Sequence, residues 1–213
     1  SAQFSLAGNY CLGEGVPQDW KEAVKWFRLS AEQGEADAQY FLGLMYSNGQ
    51  GVLQDYKKAV KWFRLSSEQG DVKAQYNLGI IFQDGLGVEQ DYKEAVKWFR
   101  LSAEQDDGDA QYNLGIMFQD GLGVQQNYKE ALKWYRLAAE HNIVLAQWNL
   151  GYMFEDGLGV EQDYKEAVKW YRLAAEQGLA TAQSILGEMY YGGQGVLQDY
   201  KEAVKWHRLS AEQ

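Results

Sequence analysis

The stretch DYKEAVKWYRLAAEQG, Asp163 to Gly178, carries its own start and stop. Asp163 is placed to cap a first helical turn, and Glu166 three residues on is spaced to complete a capping box. Tyr164, Ala167, Val168, Tyr171, Ala174 and Ala175 recur at helical spacing and form one apolar stripe. Gly178 stands just past the end, where a left-handed residue closes a helix. Such a helix cannot bury its stripe alone, and the sequence supplies its neighbours. Asp19, Asp55, Asp91, Asn127 and Asp199 occupy the cap position in further copies spaced 36 residues apart.

The 213 residues read as six 36-residue units less the final three, without insertion or deletion. We assign the copies to 1–36, 37–72, 73–108, 109–144, 145–180 and 181–213, together one elongated domain, 1–213. A period of this size indicates a solenoid, in which each unit packs on its neighbours. Each copy opens with a shorter helix A, turns through a glycine loop and continues into helix B. In the third copy helix A is expected over Lys73 to Asp84, followed by Gly85-Leu86-Gly87-Val88-Glu89-Gln90. The Gly-x-Gly follows a helix, lacks a third glycine and occurs six times, which speaks for tight turns and against nucleotide binding. Helix B ends at Gly34, Gly70 and Gly178, but at Asp106 and Asn142 in copies three and four. Those residue types tolerate the left-handed conformation next best.

The recurring pattern A-Q-Y-N-L-G-x-M-F-x-D-G-L-G-V-x-Q-[DN]-Y-K-E-A-[VL]-K-W-[FY]-R-L-[SA]-A-E resembles the Sel1-like repeat, a relative of the tetratricopeptide repeat, across the whole chain. The resemblance implies an all-α, right-handed superhelix of antiparallel helix pairs, with helix A concave and helix B convex. It also implies protein–protein interaction, as in adaptors of signalling, of endoplasmic-reticulum quality control and of bacterial contact with host proteins. Three departures stand out. The paired cysteines of the cysteine-rich bacterial branch are absent. Leucine follows the helix B arginine in every copy. The first copy carries Ala7, Gly8 and Asn9 where later copies have glycine and large apolar residues, so its helix A is expected to fray.

Composition narrows the partner. A net charge of −10 argues against a nucleic-acid backbone as partner, and no apolar run reaches the roughly 18 residues of a membrane span. Ser1 enters in mid-pattern, so a trimmed N-terminus is expected; periplasmic or secreted and cytoplasmic locations both stay open. Cys11 stands alone, which permits no internal disulfide. His141 and His207 lie at unmatched positions, and no HExxH, paired-cysteine or Ser-x-x-Lys pattern occurs. Asp106-Asp107-Gly108-Asp109 lacks the remaining ligands of a calcium loop and suits the start of the next helix A. No catalytic residue, metal or cofactor is assigned.

Helical geometry divides helix A into two faces. Ala74, Leu78, Ile81 and Phe82 of the third copy mark the core, while Lys73, Tyr76, Asn77, Ile80 and Asp84 lie opposite. Followed along the copies, the second face gives an aromatic row of Tyr40, Tyr76, Tyr112 and Trp148. Beside it run an amide row of Asn77, Asn113 and Asn149 and an apolar row of Leu44, Ile80, Ile116 and Tyr152. An acidic row of Asp84, Asp120 and Asp156 closes the edge. These residues are the candidate partner-binding face, suited to a protein or peptide of basic character. Two structural alternatives stay open: the tyrosines pack between A helices, and the asparagines bond to nearby backbone. Alternative functions are a module for a small or glycan-like ligand on the same row, and a weak β-lactamase-like hydrolase. On helix B, Trp26, Trp62, Trp98, Trp134, Trp170 and Trp206 are expected to stack between helices. Leu29, Leu65, Leu101, Leu137, Leu173 and Leu209 form an outer ladder, either exposed or half-covered by basic stems.

Overall fold

In a computed structural model describing Ser1–Gln213 the chain is an all-α solenoid of twelve helices without strands. It falls into two compact units, Ser1–Gln105 and Asp106–Gln213. The first holds α1 (Ala2–Leu12), α2 (Trp20–Glu32), α3 (Ala36–Asn48), α4 (Tyr56–Ser67), α5 (Val72–Asp84) and α6 (Tyr92–Ala103). The second holds α7 (Gly108–Asp120), α8 (Tyr128–Glu140), α9 (Val144–Asp156), α10 (Tyr164–Glu176), α11 (Ala180–Gly192) and α12 (Tyr200–Ala211). Odd numbers are A helices and even numbers are B helices. From the second copy on, each A helix begins one residue ahead of the assigned copy boundary. No helix is long and apolar enough to cross a membrane.

Within each unit the core is built from one recurring contact. In the first, Leu42, Phe63, Leu78 and Phe99 are completely shut from solvent, and in the second Leu114, Tyr135, Leu150, Tyr171 and Leu186 are. The helix-A glycine sits against the helix-B ring of the same copy. A Cβ on Gly43 would lie 2.7 Å from Phe63, on Gly79 2.5 Å from Phe99 and on Gly151 2.6 Å from Tyr171. The glycine is therefore a socket for the ring. Ala74, Leu78, Ile81 and Phe82 are all buried, as their spacing implies.

The glycine loop meets both of its demands. Gly87 has φ +68°, and a Cβ there would stand 2.5 Å from the Tyr56 Cβ of the preceding B helix. Asp106 and Asn142 adopt φ +69° and +59°, filling the left-handed place that Gly178 fills at +92°. Gln90 reaches across the loop to donate to the Gln83 carbonyl at 2.7 Å.

One part of the capping expectation fails. Asp163 accepts from the backbone of Lys165 and Glu166, at 2.9 and 3.1 Å. Glu166 does not return the bond, because the Asp163 N–H already donates to the Phe154 carbonyl at 2.9 Å. The glutamate pairs with Lys169 instead. That N–H is used in the same way at Asp55, bound to the Tyr46 carbonyl at 2.9 Å. Asp55 also accepts from the Lys58 backbone at 3.0 Å and faces its ammonium at 3.3 Å. Asp163→Ala and Asp55→Ala are therefore expected to cost the same, about 0.5–2 kcal/mol each. Denaturant melts showing a clearly smaller loss at Asp55 would mean that the box forms after all.

One further expectation is corrected. Helix α1 is continuous from Ala2 to Leu12 and not frayed. Phe4 anchors it, with ring centroids 5.4 Å from Phe27 and 5.8 Å from Phe41, and Ala7 is fully buried. The helix-B tryptophans pack into the helix layers, Trp134 and Trp206 being buried and Trp170 set against the core of its unit, and four of the six also carry a lysine over the ring. Lys61 lies 5.6 Å over Trp62 and Lys133 5.1 Å over Trp134. The indole sits at the flank of its helix, where the stem of the preceding residue can close over it.

Candidate partner-binding face

In the first unit α3 and α5 present the candidate residues. The Tyr40 ring packs 5.9 Å from Phe63. Burial, followed by the Asp71 carboxylate, pushes its phenol up, and the Asn77 amide opposes the rise. Asn77 also donates to the Lys73 carbonyl at 2.8 Å. The Tyr76 ring packs 5.9 Å from Phe99. Asn77 thus bonds to nearby backbone, as one structural alternative had it, whereas the tyrosine rings pack on helix-B rings of their own copy and not between A helices. Leu44 and Ile80 are half-buried, and Asp84 is exposed.

The second unit repeats the arrangement once and then departs from it. Tyr112 packs 5.9 Å from Tyr135; burial pushes its phenol up, and the buried Asn149 opposes the rise. Asn113 donates to the Asp109 carbonyl at 2.9 Å. Ile116 is half-buried and Asp120 exposed. In α9 the half-buried Trp148 lies parallel to Tyr152, with centroids 6.2 Å apart and planes within 9°. Tyr152 is 36% exposed. The Asp156 carboxylate, one turn on, pushes its phenol up.

Two contributors escaped the sequence reading. Glu155 accepts from the Tyr171 hydroxyl at 2.7 Å, and Gln119 from the Tyr135 hydroxyl at 3.0 Å. The signal was available, because both follow from tyrosine replacing the phenylalanine of earlier copies. The outer leucines reach solvent: Leu101 and Leu173 are exposed, Leu65 and Leu137 half-buried.

The repeated motif and the helix pairs have a counterpart in known proteins. The Sel1 repeat matches residues 1–35, 36–71, 72–107, 108–143, 144–179 and 180–213. The chain belongs to the Sel1 repeat family. A protective antigen of uropathogenic Escherichia coli with this fold superposes with a TM-score of 0.97 at 43% identity. The match covers 99% of this chain and 45% of the E. coli chain, so the sequence spans less than half of that relative. A Sel1 repeat protein from Oxalobacter formigenes gives 0.89 at 34% identity, covering 99% of this chain and 84% of the other. No protein of curated function matches the chain. Sel1 repeats are typically protein-interaction modules and generally non-catalytic scaffolds.

One Sel1 copy carries a joint of its own. In other copies a glutamine at the end of helix B donates to the buried helix-A glutamine, as Gln177 does to Gln147 at 2.8 Å. The fourth copy has His141 there, and its Nε2 lies 2.9 Å from Asp106 Oδ1. Gly108 makes the room, since a Cβ on it would stand 2.7 Å from the His141 Cβ. The His141 hydrogen bond, then that of Gln111, lowers Asp106 below the usual aspartate range. A carboxyl depressed in the folded state stabilises above its unfolded pKa and loses that contribution as the pH falls through the folded value. His141→Gln is therefore expected to raise the midpoint of acid unfolding, the loss of stability being complete above about pH 4 and fading as the pH falls below it. Circular dichroism against pH, with an unchanged midpoint as the contrary result, checks this.

Proposed function

We propose that the chain is a non-catalytic scaffold that binds a partner protein or peptide on its A-helix face. The reading is supported by side chains that the scaffold leaves open on that face: Ile80 and Asp84 in one unit, Ile116, Asp120, Tyr152 and Asp156 in the other. The observation that carries it is Tyr152. Its counterparts Ile80 and Ile116 are half-buried aliphatics, whereas this large aromatic stands exposed beside an exposed carboxylate. Exposed aromatic anchors among polar groups are where interface energy concentrates. The carboxylates and the net charge of −10 favour a basic partner through steering and specificity.

Photo-crosslinking residues placed separately at 116, 152 and 173 test the reading. The same protein captured at 116 and 152, and not at 173, is the expected result. Capture at 173 alone would transfer the function to the outer leucines of helix B.

A further inference from the structure

Helix α9 breaks the pairing that links an A helix to the next. The Asn149 amide acts on the Tyr112 phenol one copy back, holding it down against the upward push of burial. Trp148, in the same row, has no hydroxyl, and Ile185 stands where the next asparagine would be. The indole instead holds Tyr152 in a parallel, offset pair. Asp156 stands one turn along α9, and its carboxylate pushes the phenol up. The result is an exposed aromatic ring, stacked on the indole, with an exposed carboxylate one turn away.

We infer that Tyr152 and Asp156 form a seat for a guanidinium, an arginine side chain of the partner, stacked on the phenol and ion-paired with the carboxylate. The inference rests on the proposed reading that this face takes a partner. Guanidinium fits better than ammonium because it is planar, weakly hydrated, and able to stack while donating to a carboxylate. The chain uses the same pairing internally. Arg172 lies 5.8 Å over the Tyr190 ring and donates to its hydroxyl, and Arg136 lies 5.6 Å over Phe154. Those arginines are supplied from the preceding B helix, whereas Tyr152 has no arginine of the chain on it. Glu155 is not part of the seat, since its carboxylate is already bound to Tyr171.

Titration of the full chain with the blocked tripeptides Gly-Arg-Gly, Gly-Lys-Gly and Gly-citrulline-Gly, followed by two-dimensional NMR, tests the seat. The arginine peptide should shift the α9 amides and the Trp148 indole, the latter identified with Trp148→Phe. The lysine peptide should bind more weakly than arginine, and uncharged citrulline at least about fivefold more weakly. Tyr152→Leu and Asp156→Asn should each weaken arginine binding about fivefold or more without moving the thermal melt. Shifts absent from α9, equal shifts with citrulline, or lysine binding as well as arginine would each overturn the seat. The crosslinking separates the two ideas. A partner captured at 116 and retained by both variants removes the arginine seat and leaves the binding face. Arginine binding at α9 with no capture at 116 or 152 supports the seat and removes the wider face.

Discussion

Phe99→Ala is expected to lower the free energy of unfolding by about 3–5 kcal/mol. Phe99 is completely buried, and its ring edge rests in the socket of Gly79 with no room for a Cβ between them. Truncation removes the transfer energy of the ring and leaves a cavity that helices α5 and α6, tied by the Asp91 N–H to the Phe82 carbonyl at 2.9 Å, cannot close. Gly79→Ala approaches the same contact from the other side. A Cβ 2.5 Å from the ring overpacks it, at about 1–3 kcal/mol. The double variant should be less destabilised than the sum, because the added methyl enters the space that the ring has left. Strict additivity in denaturant melts would mean that the two residues do not share the contact.

Tyr152→Ala is expected to weaken binding of the crosslinked partner by about 2 kcal/mol, roughly thirtyfold. Tyr152 is the better probe than Trp148, although Trp148 heads the aromatic row. Trp148 is half-buried and packs against the core of the second unit, so its removal mixes folding with binding. Tyr152 is exposed, and the carboxylate that acts on its phenol is exposed too, so alanine there leaves the core intact. Leu173→Ala on the outer surface of the same copy is the control, with little or no change expected. A smaller loss at Tyr152 than at Leu173 would place the contact on helix B.

Most of the fold was legible because the sequence states it six times. Asp163, Gly178 and the Gly-x-Gly loop each mark a backbone requirement, and local geometry followed from them. The capping box misled because the Asp163 N–H has a rival acceptor, the Phe154 carbonyl, that is distant in sequence. Fraying of α1 was expected from Gly8, whereas Phe4 docks the helix through rings of two other helices. The candidate face was legible as rows, but helical spacing cannot tell a side chain that is spent from one that is free. Tyr40 and Tyr112 reach asparagines 37 residues on, a rung that single-helix geometry does not reveal. Trp148, Tyr152 and Ile185 break that rung together, and the exposed aromatic site arises from the break. The fourth-copy joint was hidden for the same reason: Asp106, Gly108 and His141 look like separate deviations until one contact unites them.

The most direct test of the A-helix face is the affinity of the captured partner for paired face variants, measured by titration calorimetry. Ile80→Glu and Ile116→Glu place a charge among the open A-helix residues, and Leu101→Glu and Leu173→Glu do so on helix B. The account predicts that the isoleucine variants lose binding and the leucine variants retain it, with all four melting like the parent. Binding kept by both isoleucine variants and abolished by the leucine variants would contradict it.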